Sequence, residues 1–153
     1  MKKKVGIIGL GLMGQKRANS LKNKSILTAV CDVSLKKFNY FLKKINTQDI
    51  EKKKISFCTN WKKLIDEYNL DVIIISTFHK DLVEIMKYAY KKKKHILVEK
   101  PAFVSLKEAE IIFNHKNLKN IFFGEGYMYR YHPQINETIK IIKSSGIGKP
   151  ISM

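Results

Sequence analysis

A glycine-rich segment near the amino terminus has the residue types and the spacing that suit a pyrophosphate site. The segment consists of Gly9, Leu10, Gly11, Leu12, Met13 and Gly14. It reads G-x-G-x-x-G, follows a short apolar run and leads into a sequence that can continue as a helix. In that context the first glycine permits a tight turn, the second lets the backbone approach a pyrophosphate, and the third lets helix and strand pack closely. Because the helix amino terminus faces the negative charge, the segment predicts a dinucleotide-binding site.

An acidic residue stands where the second strand is predicted to end. Asp32 follows the apolar run 26–31 and lies 18 residues beyond Gly14. A carboxylate at this position accepts hydrogen bonds from ribose hydroxyls and repels the additional 2′-phosphate of NADP. Lys36 and Lys37 follow closely and offset part of that repulsion. The sequence therefore favours NAD as the cofactor, with NADP possible.

Apolar runs alternate with amphipathic helical patterns along the chain, and they predict the elements that position these residues. Strands are predicted at 5–9, 26–31, 55–58, 71–76, 96–98 and 121–123. The run 71–76 is almost wholly apolar, which is typical of a strand buried on both faces. Between the runs, apolar residues recur at helical spacing. Because single helices join successive strands, the connections are crossovers, and the predicted fold class is α/β with a doubly wound parallel sheet, the Rossmann fold.

The net charge of +17 is the feature of the composition that most invites a different function, nucleic-acid binding. Arginine usually reads bases and grips phosphates, yet Arg17 and Arg130 are the only arginines among the 30 basic residues. The lysine runs at 2–4, 52–54 and 91–94 are scattered and lie at predicted element ends. We interpret them as solvated surface, and we expect no specific nucleic-acid partner, only weak attraction to polyanions.

Cysteine usage and apolar run lengths bear on other classes of protein. Cys31 and Cys58 are too few for a disulfide framework and lack partners at metal-ligand spacing, so we interpret them as buried free thiols and expect no metal site. Residues 1–4 resemble the start of a signal peptide, but glycines interrupt the next apolar run and no small-residue cleavage site follows. No apolar stretch is long enough to span a bilayer. The sequence favours a cytoplasmic protein without membrane association.

Further polar motifs follow the fourth, fifth and sixth predicted strands. Ser76-Thr77 follows the fourth strand, Glu99-Lys100-Pro101 the fifth, and the run 124–133 the sixth. With G-x-G-x-x-G at this spacing, the sequence resembles the Gfo/Idh/MocA oxidoreductases. That family includes glucose–fructose oxidoreductase, inositol dehydrogenases and enzymes that act on nucleotide sugars. The resemblance covers the whole chain in order, and the run 145–150 resembles the turn into the family's second domain.

The resemblance implies a role for each motif residue. Residues 9–14 would hold the pyrophosphate, and Asp32 would hold the adenosine ribose. The floor under the nicotinamide ribose would be formed by Ser76, Thr77 and His79. Glu99 and Lys100 would reach that ribose and the substrate hydroxyl. Arg130 would anchor substrate or cofactor, unless it forms a structural ion pair instead.

Lys100 is also the residue whose own chemistry fits hydride transfer. It is predicted at the carboxyl end of a strand, where open α/β sheets bind ligands. An ammonium beside a sugar hydroxyl stabilises the alkoxide that develops as hydride leaves, and it relays protons if its pKa is lowered. The chain must turn sharply there to aim Lys100 into the cleft, and together with the family resemblance this position predicts a cis Lys100–Pro101 peptide bond. Lys100 is the candidate catalytic residue for the sugar, nucleotide-sugar or polyol substrates of that family.

The sequence departs from the family pattern in one loop and in its extent. Phe78 stands in place of the usual proline, and Leu82 stands where a histidine is common. In the family, a second, α+β domain supplies an Asp-x-x-x-His pair that completes the active site, and the chain ends at Met153 without it. We expect residues 1–124 to form the NAD(P)-binding domain, and residues 125–153 to form a connecting helix and the start of the absent domain.

Two functions of different classes follow from this pattern. In the first, the chain is the cofactor half of a dehydrogenase, homo-oligomeric in its full-length form and inactive alone. In the second, it is a non-catalytic nucleotide-binding module or regulator that senses NAD(P). The motif Glu99-Lys100-Pro101 favours the first, because a sensor has no need of a lysine that faces a hydroxyl.

Overall fold

The computed structural model describes residues 1–21, 25–45, 54–114, 120–144, 148 and 151. The strands are β1 (Lys3–Ile8), β2 (Ser25–Cys31), β3 (Ser56–Cys58), β4 (Val72–Ile75), β5 (His95–Val98) and β6 (Phe123–Glu125). The helices are α1 (Leu12–Ser20), α2 (Leu35–Lys44), α3 (Trp61–Glu67), α4 (His79–Lys91), α5 (Leu106–Phe113) and α6 (Pro133–Lys143). A 3₁₀ turn at Met128–Tyr131 precedes α6. Lys52, Lys53, Met153 and the run 145–150 except Gly148 lie outside the described residues.

All six strands pair in one sheet in the order β3-β2-β1-β4-β5-β6, and every pairing is parallel. The chain therefore builds the sheet outward from β1 on one side, through β2 and β3, and then crosses over to add β4, β5 and β6 on the other. One helix lies between each pair of successive strands. This arrangement confirms the predicted doubly wound parallel sheet of the Rossmann type.

The apolar residues of the central strands divide between two cores, one on each face of the sheet. In β4, Ile73 and Ile75 belong to one buried cluster, and Ile74 between them belongs to the other. The first cluster includes residues of α3, α4 and α5, and the second includes residues of α1 and α2. Because successive side chains of a strand point to opposite faces, an almost wholly apolar run is what such a doubly covered strand requires.

The strand order reverses between β1 and β4, which are neighbours in the sheet. The helix that follows β1 packs on one face, and the helix that follows β4 packs on the other. A crevice therefore opens between the two chain segments that leave the carboxyl ends of these strands. In open α/β sheets this topological switch point is where ligands bind.

The described elements differ from the predicted ones mainly at their ends. β1 begins at Lys3 rather than residue 5, and β6 spans Phe123–Glu125 rather than 121–123. Phe122 is exposed, and Phe123 packs against the core as the register partner of Ile96. The last strand thus extends one residue past the predicted domain boundary at 124. No helix within the described ranges is long and apolar enough to cross a membrane.

Candidate dinucleotide-binding site

The predicted site residues come together because they stand at or just after the carboxyl ends of parallel strands. The five residues that directly follow β1, β2, β4, β5 and β6 are Gly9, Asp32, Ser76, Glu99 and Gly126. Their backbone N–H groups continue the ladder, since Gly9 donates to the Cys31 carbonyl at 2.8 Å, and Ser76 donates to the Ile8 carbonyl at 2.7 Å. Glu99 donates to the Ile75 carbonyl in the same way, at 2.9 Å. We call this row of five residues the carboxyl edge, and it brings together groups that are far apart in the sequence.

Two of the three motif glycines are required by packing within the protein. Gly9 has a φ of +92°, and a Cβ there would collide with the Ser76 carbonyl. A Cβ on Gly14 would collide with the Gly9 carbonyl, so the turn and α1 lie in close contact. Neither position can accept a side chain without moving backbone atoms.

Gly11 differs from the other two because nothing inside the protein requires it to be glycine. A Cβ built there meets no atom within 4 Å, and its φ of −67° is one that any residue adopts. The absence of a side chain therefore leaves open space beside the backbone at the first turn of α1. This is the space that a pyrophosphate needs in order to approach the main chain.

The helices at the switch point also differ from the rest in how they begin. A side-chain atom accepts a hydrogen bond from the first turn of four helices, and the capping residues are Ser34, Asn60, Ser105 and His132. α1 and α4 begin at Gly11 and Phe78 with no side-chain cap. Their first-turn N–H groups are therefore not held by a capping side chain, and α1 has no acidic residue in that turn. Helix amino termini of this kind suit phosphate groups.

Asp32 is 8% exposed, and its carboxylate holds the glycine turn against the start of α2. One oxygen accepts from the Leu10 N–H at 3.0 Å, and the other accepts from the Ser34 N–H at 3.0 Å. Lys37 Nζ lies 3.8 Å from the first of these oxygens. A carboxylate has about four acceptor positions, so acceptor capacity is left for ribose hydroxyls. Leu10 itself contributes through its backbone, because its side chain is buried in the core.

The residues after β4 provide polar atoms without partners. Ser76 Oγ is buried and has no hydrogen bond to the described residues. The same holds for both ring nitrogens of His79, although its Nε2 lies 3.3 Å from Glu108 Oε2. Thr77 lies against the turn, since its N atom would be 2.9 Å from a Cβ on Gly9. A buried hydroxyl without a partner is costly, so Ser76 fits a position that donates to or accepts from a ligand.

The segment after β5 presents Lys100 to solvent. The Lys100–Pro101 peptide bond is cis, as predicted. Glu99 forms an ion pair with Arg17, while Lys100 is exposed and makes no hydrogen bond or ion pair with the described part of the chain. Glu125 accepts from the Ala102 N–H at 2.7 Å on the far side of the proline. Among the described residues, Lys100 thus has no ionic partner, and it lies exposed beside the carboxyl edge.

Comparison with known proteins places this geometry in a family. A model of an oxidoreductase family with an NAD-binding Rossmann fold, GFO_IDH_MocA, matches residues 3–127. The chain belongs to this family. An inositol 2-dehydrogenase/D-chiro-inositol 3-dehydrogenase of Lactiplantibacillus plantarum is 28% identical over 98% of this chain and 42% of its own length. A glucose-6-phosphate 3-dehydrogenase of Bacillus subtilis is 29% identical over 99% of this chain and 41% of its own length.

Solved structures agree with the fold assignment. A myo-inositol dehydrogenase of Lactobacillus casei, solved with NAD(H) and myo-inositol, superposes with a TM-score of 0.80 at 22% identity over 98% of this chain and 44% of that one. A 3-ketoreductase of Actinomadura kijaniata, solved with NADP, gives 0.81 at 18% identity over 97% and 44%. At these identities the likeness shows the fold alone. The chain spans somewhat over two fifths of the length of the relatives that it matches.

Within this family fold, sequence reasoning missed Arg17. The sequence left open a structural ion pair at Arg130, yet Arg130 is exposed and pairs with no described acidic residue. Arg17 pairs with Glu99, and its Nη2 also lies 3.4 Å from the Gly126 carbonyl, to which it donates. The available signal was that Arg17 is one of two arginines in a lysine-rich chain and follows the glycine motif.

The cysteines are buried and free, as predicted. Cys31 and Cys58 are register partners on β2 and β3. Burial raises the pKa of the Cys31 thiol, and the neighbouring Cys58 raises it further. Burial likewise raises the pKa of the Cys58 thiol, whose Sγ donates to the Asn60 carbonyl at 3.3 Å. Neutral thiols are poor nucleophiles, so this pair contributes to packing rather than chemistry.

Proposed function

We propose that this chain binds NAD along the carboxyl edge and serves as the cofactor half of a dehydrogenase. The reaction would transfer hydride between the nicotinamide and a hydroxyl of a sugar, nucleotide sugar or polyol. One observation carries the proposal. Gly11 leaves open space beside an uncapped helix start, although nothing inside the protein requires a glycine there. Membership in an NAD-binding oxidoreductase family supports the same assignment.

The adenosine half of the cofactor is assigned to the β2 end of the edge. The Asp32 carboxylate is already oriented by two backbone amides, so it would accept the ribose hydroxyls without reorganising. The pyrophosphate would receive hydrogen bonds from first-turn N–H groups of α1, at Leu12 and Met13. Lys37 lies beside Asp32 and is half exposed, which leaves a cation available to a 2′-phosphate. The Asp32 carboxylate favours NAD as the cofactor, and Lys37 leaves NADP possible.

The nicotinamide half is assigned to the β4 and β5 ends. Within the described residues, Ser76 Oγ has no hydrogen-bond partner and the start of α4 has no side-chain cap, and Thr77 and His79 lie beside them. When bound, the nicotinamide ring supplies the group that accepts or returns hydride. Lys100 would hold the substrate hydroxyl: as the neutral amine it would take the hydroxyl proton while hydride leaves the carbon, and the ammonium so formed would stabilise the charge that develops on that oxygen. Arg130 is exposed near the β6 end and would contact substrate or cofactor.

We further propose that the 153-residue chain alone binds the cofactor without turning over substrate. Hydride transfer needs the reacting atoms held about 3 to 3.5 Å apart. Within the described residues, Lys100 and Arg130 are both exposed, so the structure offers no enclosing wall on the substrate side. The relatives named as dehydrogenases extend well beyond the part that this chain matches.

Calorimetric titration with NADH tests the binding proposal, and absorbance of newly formed NADH tests turnover. We expect saturable binding of one NADH per chain, with no NADH production from NAD and myo-inositol or glucose 6-phosphate. Absence of NADH binding would contradict the first proposal. Steady NADH production that is lost in Lys100→Ala would contradict the second and would show that this half assembles its own active site. The non-catalytic NAD(P) sensor remains the alternative, and it predicts that Lys100→Ala leaves both NADH affinity and NADH production unchanged.

A further inference from the structure

The segment that carries Lys100 is held at both of its ends. On the amino side, the Glu99 carboxylate pairs with the Arg17 guanidinium, and the two side chains are only 12% and 17% exposed. On the carboxyl side, the buried Ala102 donates its N–H to Glu125 Oε1 at 2.7 Å. Lys100 and Pro101 lie between these two attachments and are exposed. The loop is thus fixed by its neighbours rather than by contacts of Lys100 itself.

Arg17 joins this loop to the helix that begins at the pyrophosphate site. It lies on α1, whose uncapped amino terminus follows Gly11. Its guanidinium reaches across to the ends of two strands, contacting Glu99 after β5 and the Gly126 carbonyl after β6. A planar guanidinium has several donors in a fixed geometry, so one side chain can hold both partners at once.

The β6 end of the carboxyl edge has room for the Arg17 side chain because residue 126 is a glycine. A Cβ on Gly126 would lie 2.6 Å from Arg17 Nη2 and 3.3 Å from Glu99 Oε2. Gly126 is buried, and the space that a side chain would occupy there is filled by the Arg17–Glu99 ion pair rather than by solvent. A side chain at position 126 would therefore displace the guanidinium or the carboxylate.

We propose that Arg17 is a positioning residue that fixes the Lys100 segment relative to α1. Through Arg17, the helix that receives the pyrophosphate and the loop that meets the nicotinamide ribose move as one body. Removing it leaves the largely buried Glu99 carboxylate without its counter-charge, and the loop then shifts to bring that carboxylate towards water. This inference rests on the proposed cofactor site.

The test compares two ligands that share the adenosine and diphosphate groups. ADP ends at the diphosphate, whereas NADH also carries the nicotinamide ribose. In Arg17→Met we expect NADH affinity to fall by about tenfold, the size of one lost charged hydrogen bond, and ADP affinity to change by less than about twofold. Lys16→Met is the matched control, because it removes a positive charge from an exposed position of the same helix. It should leave both affinities unchanged.

A parallel loss of both affinities, or a loss of neither, would overturn the positioning role, since a general loss of stability does not distinguish the two ligands. If Arg17→Met fails to fold, Gly126→Ala decides the question, because it displaces the guanidinium while keeping every charge. It should show the same selective loss of NADH, and equal affinities would overturn the proposal. Failure of the cofactor site itself gives a different result, in which the unmodified chain binds neither ADP nor NADH.

Discussion

Gly11 and Gly14 stand three residues apart in one motif, yet the structure assigns them different tasks. Gly11→Val places a side chain in open space at an unstrained φ, so its effect on folding is that of a poorer helix cap, about 1 kcal/mol. Gly14→Ala forces a methyl group into the Gly9 carbonyl and should lower the free energy of unfolding by about 2 kcal/mol or more. Denaturant unfolding measures both values.

The two variants should also differ in their affinity for NADH. Valine at position 11 fills the space through which the pyrophosphate approaches the first turn of α1. Two charged hydrogen bonds to that turn contribute about 1.5 kcal/mol each, so their loss weakens binding by about 3 kcal/mol, roughly a hundredfold. Calorimetry at a temperature where both variants are folded gives the affinities. If Gly11→Val binds NADH as tightly as the unmodified chain, the site assignment is refuted; Gly14→Ala shows what a disturbed glycine turn does without a side chain in the open space.

Two further predictions concern Asp32 and the cysteines. Asp32→Ser should weaken NAD binding by about 1 to 3 kcal/mol while sparing NADP, because the carboxylate that accepts ribose hydroxyls is lost. The ratio of the two affinities is the measurement, since the loss of the Leu10 and Ser34 hydrogen bonds affects both ligands alike. An unchanged ratio would assign cofactor choice to Lys37. Iodoacetamide at pH 8 should leave Cys31 and Cys58 unmodified in the folded chain and alkylate both after unfolding, by mass spectrometry, because burial raises both pKa values.

The fold was predictable because its strongest signals are local. The apolar run at β4 and the glycine motif after β1 each specify an element and its neighbours without knowledge of the rest of the chain. The end of β6 was predicted two residues early, because Phe122 and Phe123 are both aromatic and the sequence does not show which of them faces the core. Only the pairing of Phe123 with Ile96 decides it.

The sequence predicted individual residues of the candidate site, but not the hydrogen bonds and ion pairs that connect them. Asp32 was identified from its distance to the motif, yet its two backbone hydrogen bonds depend on the path of the glycine turn. The ion pair of Arg17 and Glu99 joins residues 82 positions apart, and no local pattern reports it. That the Ser76 hydroxyl has no partner among the described residues likewise becomes visible only in the folded chain.

We propose that NAD lies across the carboxyl edge with its pyrophosphate at the start of α1. Amide chemical shifts of the ¹⁵N-labelled chain, recorded during an NADH titration, test it most directly. The largest changes should fall at residues 10–13 and 76–79. The amides of Lys4 and Asp71, which are linked at the opposite edge of the sheet, should scarcely move. Changes centred on that opposite edge or spread over the exposed lysines, with residues 10–13 unaffected, would show that NAD does not bind at the start of α1.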